Sequence, residues 1–373
     1  MKEAMMRIES GAIVAIRLFT AANEIDLRQA ETLWAERTGG TGARNRLDAT
    51  PAKAVSFVIP PLTLDLGETA ALIAGAAEKL SCSARLYDFG VVALSLRMPA
   101  VDISWETFGA RIDQFEAAVG PAAEAVIWQQ QLAILTALVG SAFDRPVEQP
   151  LQEDYLISLV ESFDEDVSAE ALQAQVDLAP LLSGRSRPLS PGARQDLLRQ
   201  NFSYYADDLA VITWDRAFLY EPRGETDVAD VLELANAQLL EMRAYDELLN
   251  AEMPRMRALA EAERSRFSAL AGRRYTRLAR RLRALVAEIT ELTERVDNAL
   301  QVTEDVYLAR VYAAAIELLR VPKVGDAVDR KLAIIRETYA ALQSEAEGSR
   351  AELLETAVIA LIATEILVSL LRR

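Results

Sequence analysis

The chain has 373 residues, 51% of them apolar, which gives ample material for a hydrophobic core and excludes wholesale disorder. A formal net charge of −16 makes the average surface repel nucleic acid and anionic lipid, so contact with either needs a local basic segment. There is no histidine, which excludes His-dependent triads and the commonest zinc ligand, and the lone Cys82 excludes an intrachain disulfide.

The first seven residues carry Glu3 and lead straight into a strand-like run, which is not the pattern of a secretory signal. Residues 12–18 read as a strand and 26–34 as a short helix. The β-type run 54–59 is stopped by Pro60 and Pro61. Residues 68–80 are expected to be helical, and 85–97 alternate around Asp88-Phe89-Gly90. Helical spacing returns at 104–119 and 122–139. A strand is expected at 154–163, a helix at 170–182, a loop at 183–192 and a short helix at 193–201. Two β-type runs follow, 203–214 and 217–220. A weak echo of Tyr87–Leu94 in 205–212 raises an internal duplication near 85–119 and 203–245, with duplication the less favoured explanation.

After Pro222 the strand signal fades. Asp227 is placed to cap a helix, and apolar residues recur at Leu232, Ala235, Leu239, Met242, Leu249, Met253 and Met256, with Pro254 inside the pattern. A second seam runs through Leu282, Leu285, Ile289, Leu292, Val296 and Ala299, with steps of three and four as in a coiled coil. Further helices are expected at 303–320 and 325–342. The fold class is therefore α+β: a mixed head over 1–222, an antiparallel, coiled-coil-like helical hairpin over 223–348, and an apolar C-terminal helix over 349–373. Packing of the seams within the chain is favoured over dimerisation.

Residues 353–371 are apolar except for Glu355 and Glu365, and at 1.5 Å per residue they reach roughly 28 Å, about one hydrocarbon thickness. Two readings stand: a membrane anchor, slightly preferred, or a helix packed on protein, where Glu365 makes a helix–helix contact. Residues 264–283 hold eight arginines and no acid. Arg273, Arg274, Arg277, Arg280, Arg281 and Arg283 form the candidate contact for RNA or anionic lipid headgroups. The alternative, a solvated face paired with the protein's own acids, is the more favoured. No DNA contact is expected.

No motif carries obvious chemistry. The acids Glu161, Asp164, Glu165, Asp166 and Glu170 lack EF-hand spacing and read as a solvated turn, as do Asp207 and Asp208. Neither Gly-rich phosphate motif occurs, and residues 39–44 read as a flexible loop. Trp214-Asp215-Arg216 with Tyr220 is expected to be a hairpin turn with an aromatic lid on the core.

Several segments taken in order resemble the required-for-meiotic-nuclear-division family, also called the YagE-like domain family: Tyr87–Val92, Asp208–Asp215 with Ala217–Tyr220, Asp230–Asp246, Tyr307–Tyr312 with Lys331 and Tyr339, and Leu354-Glu355 ahead of Leu361–Ile366. Within them Trp214, Asp215, Tyr220, Glu241, Arg243, Tyr245 and Asp246 are structural motif positions. Val324 and Gly325 depart from that family's pattern, where Trp is common. The resemblance implies oligomeric scaffolding at a membrane, support of translation in organelles, and no catalytic residue, metal or cofactor. Together these readings give a non-enzymatic, homo-oligomeric scaffold or tether on the cytoplasmic side of a bacterial inner membrane, with a soluble cytoplasmic protein as the alternative place. An RNA- or ribosome-associated factor acting through the arginine-rich helix is the alternative function. A carboxylate- or metal-dependent enzyme in the head is the weaker one.

Overall fold

The computed structural model describes residues 6–44, 55–57, 59–123, 125–184, 187–264, 280, 283–284, 286–287, 289–290, 300–302, 307–338 and 340. The chain divides into two units, 1–241 with 295–322, and 242–294 with 323–373.

The first unit is built on a ten-stranded sheet. In chain order its strands and the short ribbons are β1 (Arg7–Thr20), β2 (Glu24–Ile25), β3 (Ala43–Arg44), β4 (Val55–Phe57), β5 (Leu62–Ile73), β6 (Ala76–Leu86), β7 (Val91–Pro99), β8 (Ile103–Ser104), β9 (Phe143–Asp144), β10 (Gln152–Phe163), β11 (Asn201–Phe202), β12 (Leu209–Ile212), β13 (Arg216–Tyr220) and β14 (Leu300–Val302). The sheet runs β11-β12-β13-β10-β1-β7-β6-β5-β3, with β8 also on β1, while β14-β4 and β2-β9 are two-stranded ribbons. Every pairing is antiparallel except β10 with β13.

Strand β1 is central: from Gly11 to Thr20 it is buried on both faces but for the half-buried Val14, so only a doubly covered position suits it. On one face Ile13, Ala15 and Phe19 join a core with Leu94, Leu96, Phe108, Phe115, Trp128 and Leu135. Burying each such side chain stabilises the fold by about 1.5–3 kcal/mol. The helices of that core are α1 (Leu27–Thr38), α2 (Trp105–Val119) and α3 (Val126–Val139). Asp26 caps α1 by accepting from the Arg28 and Gln29 N–H groups, and Ser104 caps α2 through the Thr107 N–H. On the opposite face Ala12, Ile16 and Leu18 are equally buried. That face meets α7 (Asp227–Arg264), which follows the short helices α4 (Ala169–Gln175), α5 (Ala179–Ser183) and α6 (Pro191–Leu197). Residues 230–242 of α7 are buried all round, so the helix starts inside the first unit, where a polar surface would be costly.

Of the second unit, the C-terminal part of α7 and residues 323–338 are helical. Within it Lys331 pairs with Asp246, and Arg336 donates to Thr290 Oγ1 at 3.2 Å.

The mixed α+β class holds, with local corrections. Residues 68–80 are strand, not helix: β5 and β6 form a hairpin whose turn residues Ala74 (φ 49°) and Gly75 (φ 85°) both take the left-handed region. The expected helix 170–182 is two helices, because Val176 is extended and Pro180 sits in the first turn of α5. Helix begins at residue 321 rather than 325, with Pro322 in the first turn, where a missing N–H costs nothing. The run 353–371 with Glu365, and most of the seam 282–299, lie outside the described residues. Among the described residues no helix is long and apolar enough to cross a membrane, so the transmembrane reading finds no support among them.

Candidate interaction site

The hairpin β12–β13 turns through Thr213-Trp214-Asp215, and this turn is fixed from several sides. The Thr213 N–H donates to Arg216 O at 2.8 Å, and the Arg216 N–H donates to Thr213 Oγ1 at 3.1 Å. From β10, the buried Tyr155 hydroxyl lies 3.1 Å from Thr213 O and 2.9 Å from Arg216 O, and the Leu156 N–H donates to Asp215 O at 3.1 Å. Burial pushes the Tyr155 phenol up, which keeps it a neutral donor.

The buried Arg216 side chain ties the turn to α2 and α5. Its Nη2 is 2.5 Å from Glu116 Oε1, its Nη1 is 3.5 Å from Leu181 O, and its Nε is 3.6 Å from Asp215 Oδ2. A Cβ on Gly184 would overlap the guanidinium, and the positive φ of Gly184 (57°) suits glycine as well. Burial pushes the Asp215 carboxyl up, against the pull of Arg216.

From this fixed frame Trp214 projects with 65% of its surface exposed, and among the described residues its ring meets no other aromatic ring or guanidinium. The lid expected of it is therefore corrected: Tyr220, 5% exposed and 5.2 Å from Phe163, packs in the core instead. A groove of about 560 Å³ opens between α2 and the α5–α6 segment, and Leu181, whose carbonyl Arg216 reaches, lines it.

At the other end of the hairpin, Asp208 Oδ1 accepts from the Tyr204 and Tyr205 N–H groups, which makes Asp207-Asp208 a turn. Arg223 stacks over Tyr205, 3.5 Å from its centroid, and Tyr204 packs against Tyr307. Burial, with the like charges of Glu225 and Asp208, pushes the Glu221 carboxyl up to about 7. In the acidic run, Glu161 accepts from Ser10 at 2.5 Å and pairs with Arg97 at 2.6 Å, which holds its carboxyl low. Among the described residues no three of Asp, Glu or Cys are grouped to hold a metal ion.

A second polar group lies inside. Arg85 of β6 meets Asp230 at 2.7 Å and Glu233 at 3.4 Å on α7, and the Tyr87 hydroxyl donates to Glu233 at 2.9 Å. Burial favours the neutral guanidinium of Arg85, but the two carboxylates outweigh it and raise its pKa. Burial pushes the Glu233 carboxyl up against the pull of Arg85. Two acids share one buried cation here, so the group fixes how α7 lies on the sheet. The sequence pointed to neither Arg85 nor Glu233. The signal was present as two acids, three residues apart, on a mostly apolar helix whose residues 230–242 are buried on every side.

Of the remaining motif residues, Glu241 is buried at 3%, Tyr245 is buried, Arg243 is exposed and Asp246 pairs with Lys331. Arg280 and Arg283 are helical and exposed, and among the described residues neither has an ion-pair partner. Arg273, Arg274, Arg277 and Arg281 lie outside the described residues.

A family model described as "Uncharacterized protein MJ0711, N-terminal domain" matches residues 10–227, the sheet and the Trp214 turn included. The uncharacterized protein MJ0711 of Methanocaldococcus jannaschii is 23% identical over 176 residues, 47% of this chain and 53% of that protein. The chain thus spans about half the length of the curated relative it matches. No solved structure matches. The family match overturns the resemblance to the meiotic-nuclear-division, YagE-like family. The chain belongs to the MJ0711 N-terminal-domain family.

Proposed function

We propose that this family member is a non-enzymatic scaffold that self-associates and presents Trp214 as its docking point. The observation that supports it is the combination at that residue of a large exposed indole and a backbone bonded to β10 and held through Arg216 to α2 and α5. A protein that displays an aromatic side chain from a backbone already fixed avoids the cost of ordering the loop on binding. Tryptophan is also the residue type most enriched among interface hot spots. In this reading the second unit is an antiparallel helical hairpin, and residues 353–371 complete it as a helix packed on protein. Sedimentation of the full chain against a Trp214→Ala variant tests it. A wild-type chain that sediments as a single copy across the micromolar range would sink it.

A second reading is an RNA-associated factor that binds through the arginine-rich segment. It is favoured by the exposure of Arg280 and Arg283 without carboxylate partners. Phosphate contacts of this kind weaken steeply with salt. Titration of a single-stranded RNA at two salt concentrations, with the Arg280→Glu and Arg283→Glu changes combined, tests it. Binding unchanged by the two substitutions would rule it out.

A further inference from the structure

We infer that Trp214 and the groove linked to its turn through Arg216 receive the arginine-rich segment 264–283 of a second copy of this chain, an inference that rests on the self-association proposed above. The face of an indole is the strongest aromatic partner for a guanidinium. Trp214 is exposed on a hydrogen-bonded turn and without a cation of its own among the described residues. Arg216, two residues on, reaches the carbonyl of Leu181, and Leu181 lines the groove, so the turn and the groove are joined by one side chain.

The groove's charges select the occupant. Glu106 and Asp113 of α2 line it, both exposed and neither ion-paired among the described residues. Seven residues apart, they lie on one helix face, roughly 10 Å apart along the axis. Of the two cations on the lining among the described residues, Arg194 is paired with Asp177, and Arg187 faces the carboxylates of Glu106 and Asp113. The surrounding sequence agrees: residues 101–250 carry 27 acids and nine bases, whereas residues 264–283 carry eight bases and no acid. Within that basic segment Arg273 and Arg280 repeat the seven-residue spacing, and Arg280 and Arg283 stand exposed and unpaired three residues apart. A nucleic acid at this groove would meet like charge. A second copy supplies the complementary cations at one segment per groove, and such complementarity raises the association rate and makes it salt-sensitive.

The test uses the full chain in sedimentation velocity, with Trp214→Ala as one variant and Arg280→Glu/Arg283→Glu as the other. Each variant is expected to weaken self-association at least tenfold with an unchanged thermal midpoint, and raised salt is expected to weaken the wild type towards the variants. An equimolar mixture of the two variants is expected to form a dimer that neither forms alone, because one intact contact survives between an unaltered groove and an unaltered arginine segment. Wild-type association by the Trp214→Ala variant, or a mixture that stays as single copies, overturns the inference. So does an arginine variant that associates as wild type while losing affinity for poly(U) RNA. If Trp214→Ala weakens association and Arg280→Glu/Arg283→Glu does not, this inference alone fails; if Trp214→Ala associates as the wild type does, the Trp214 docking point of the scaffold reading fails as well. If the wild type never associates, the scaffold reading fails with it.

Discussion

Two places in the first unit invert the usual distribution of side chains. At Arg85, Tyr87, Asp230 and Glu233 charge is buried, and at Trp214 a large apolar surface is exposed. The informative departures in a folded protein are a buried polar group and an exposed apolar one, and here the two serve different ends. The buried group binds α7 to the sheet and tells it where to lie. The exposed indole contributes nothing to the core, yet its turn is hydrogen-bonded from β10 and tied through Arg216 to α2 and α5. A group that stabilises should cost stability when lost, and a group that recognises should cost association.

The largest expected effect breaks the buried side. Arg85→Met leaves Asp230 and Glu233 without their cation and is expected to lower unfolding free energy by about 3–5 kcal/mol, read from urea denaturation. A change below about 1 kcal/mol would show that the carboxyls simply take up protons and that the cluster does not hold α7. Next comes the opposite case. Trp214→Ala is expected to move stability by less than about 0.5 kcal/mol, the usual limit for a surface change, while weakening association at least tenfold. A comparable loss in stability would assign the indole to the fold.

Smaller is the expected pH dependence at Glu221. Its folded carboxyl is raised from 4.5 to about 7 by burial and by Glu225 and Asp208. The unfolded chain then releases this proton first, so stability falls as pH rises from about 4.5 to about 7 and levels off above that. For a half-exposed carboxyl screened by solvent the fall is about 1 kcal/mol. Glu221→Gln is expected to flatten it, and an unchanged slope would place the titration elsewhere. Smallest of all, Lys331→Ala in the second unit removes a half-exposed pair with Asp246, worth about 0.5 kcal/mol. Loss of several kcal/mol in thermal melts would mean that the pair holds the helices together.

The sequence made the long alternating and helical runs legible, because β1, β10, α2 and α7 carry their periodicity in their own residues. It failed at residues 68–80, where alanine-rich composition favours helix locally but pairing with a neighbouring strand decides, and the two left-handed turn residues Ala74 and Gly75 were the overlooked signal. It found Trp214 and misjudged its direction. Whether an aromatic side chain closes a core or leaves it depends on β10 and Arg216, which fix the turn from 60 residues away and from two residues on. The interior charge cluster was hidden for a similar reason: Arg85 and Glu233 are 148 residues apart, and only the fold makes them neighbours.

Native mass measurement of the full chain beside its Trp214→Ala variant, at equal micromolar concentration and low salt, tests the central claim most directly. The wild type is expected at a multiple of 41.0 kDa and the variant predominantly at 41.0 kDa itself, with identical thermal melts. Equal masses for the two, whether single copies or assemblies, would contradict the assignment of Trp214 as the docking point.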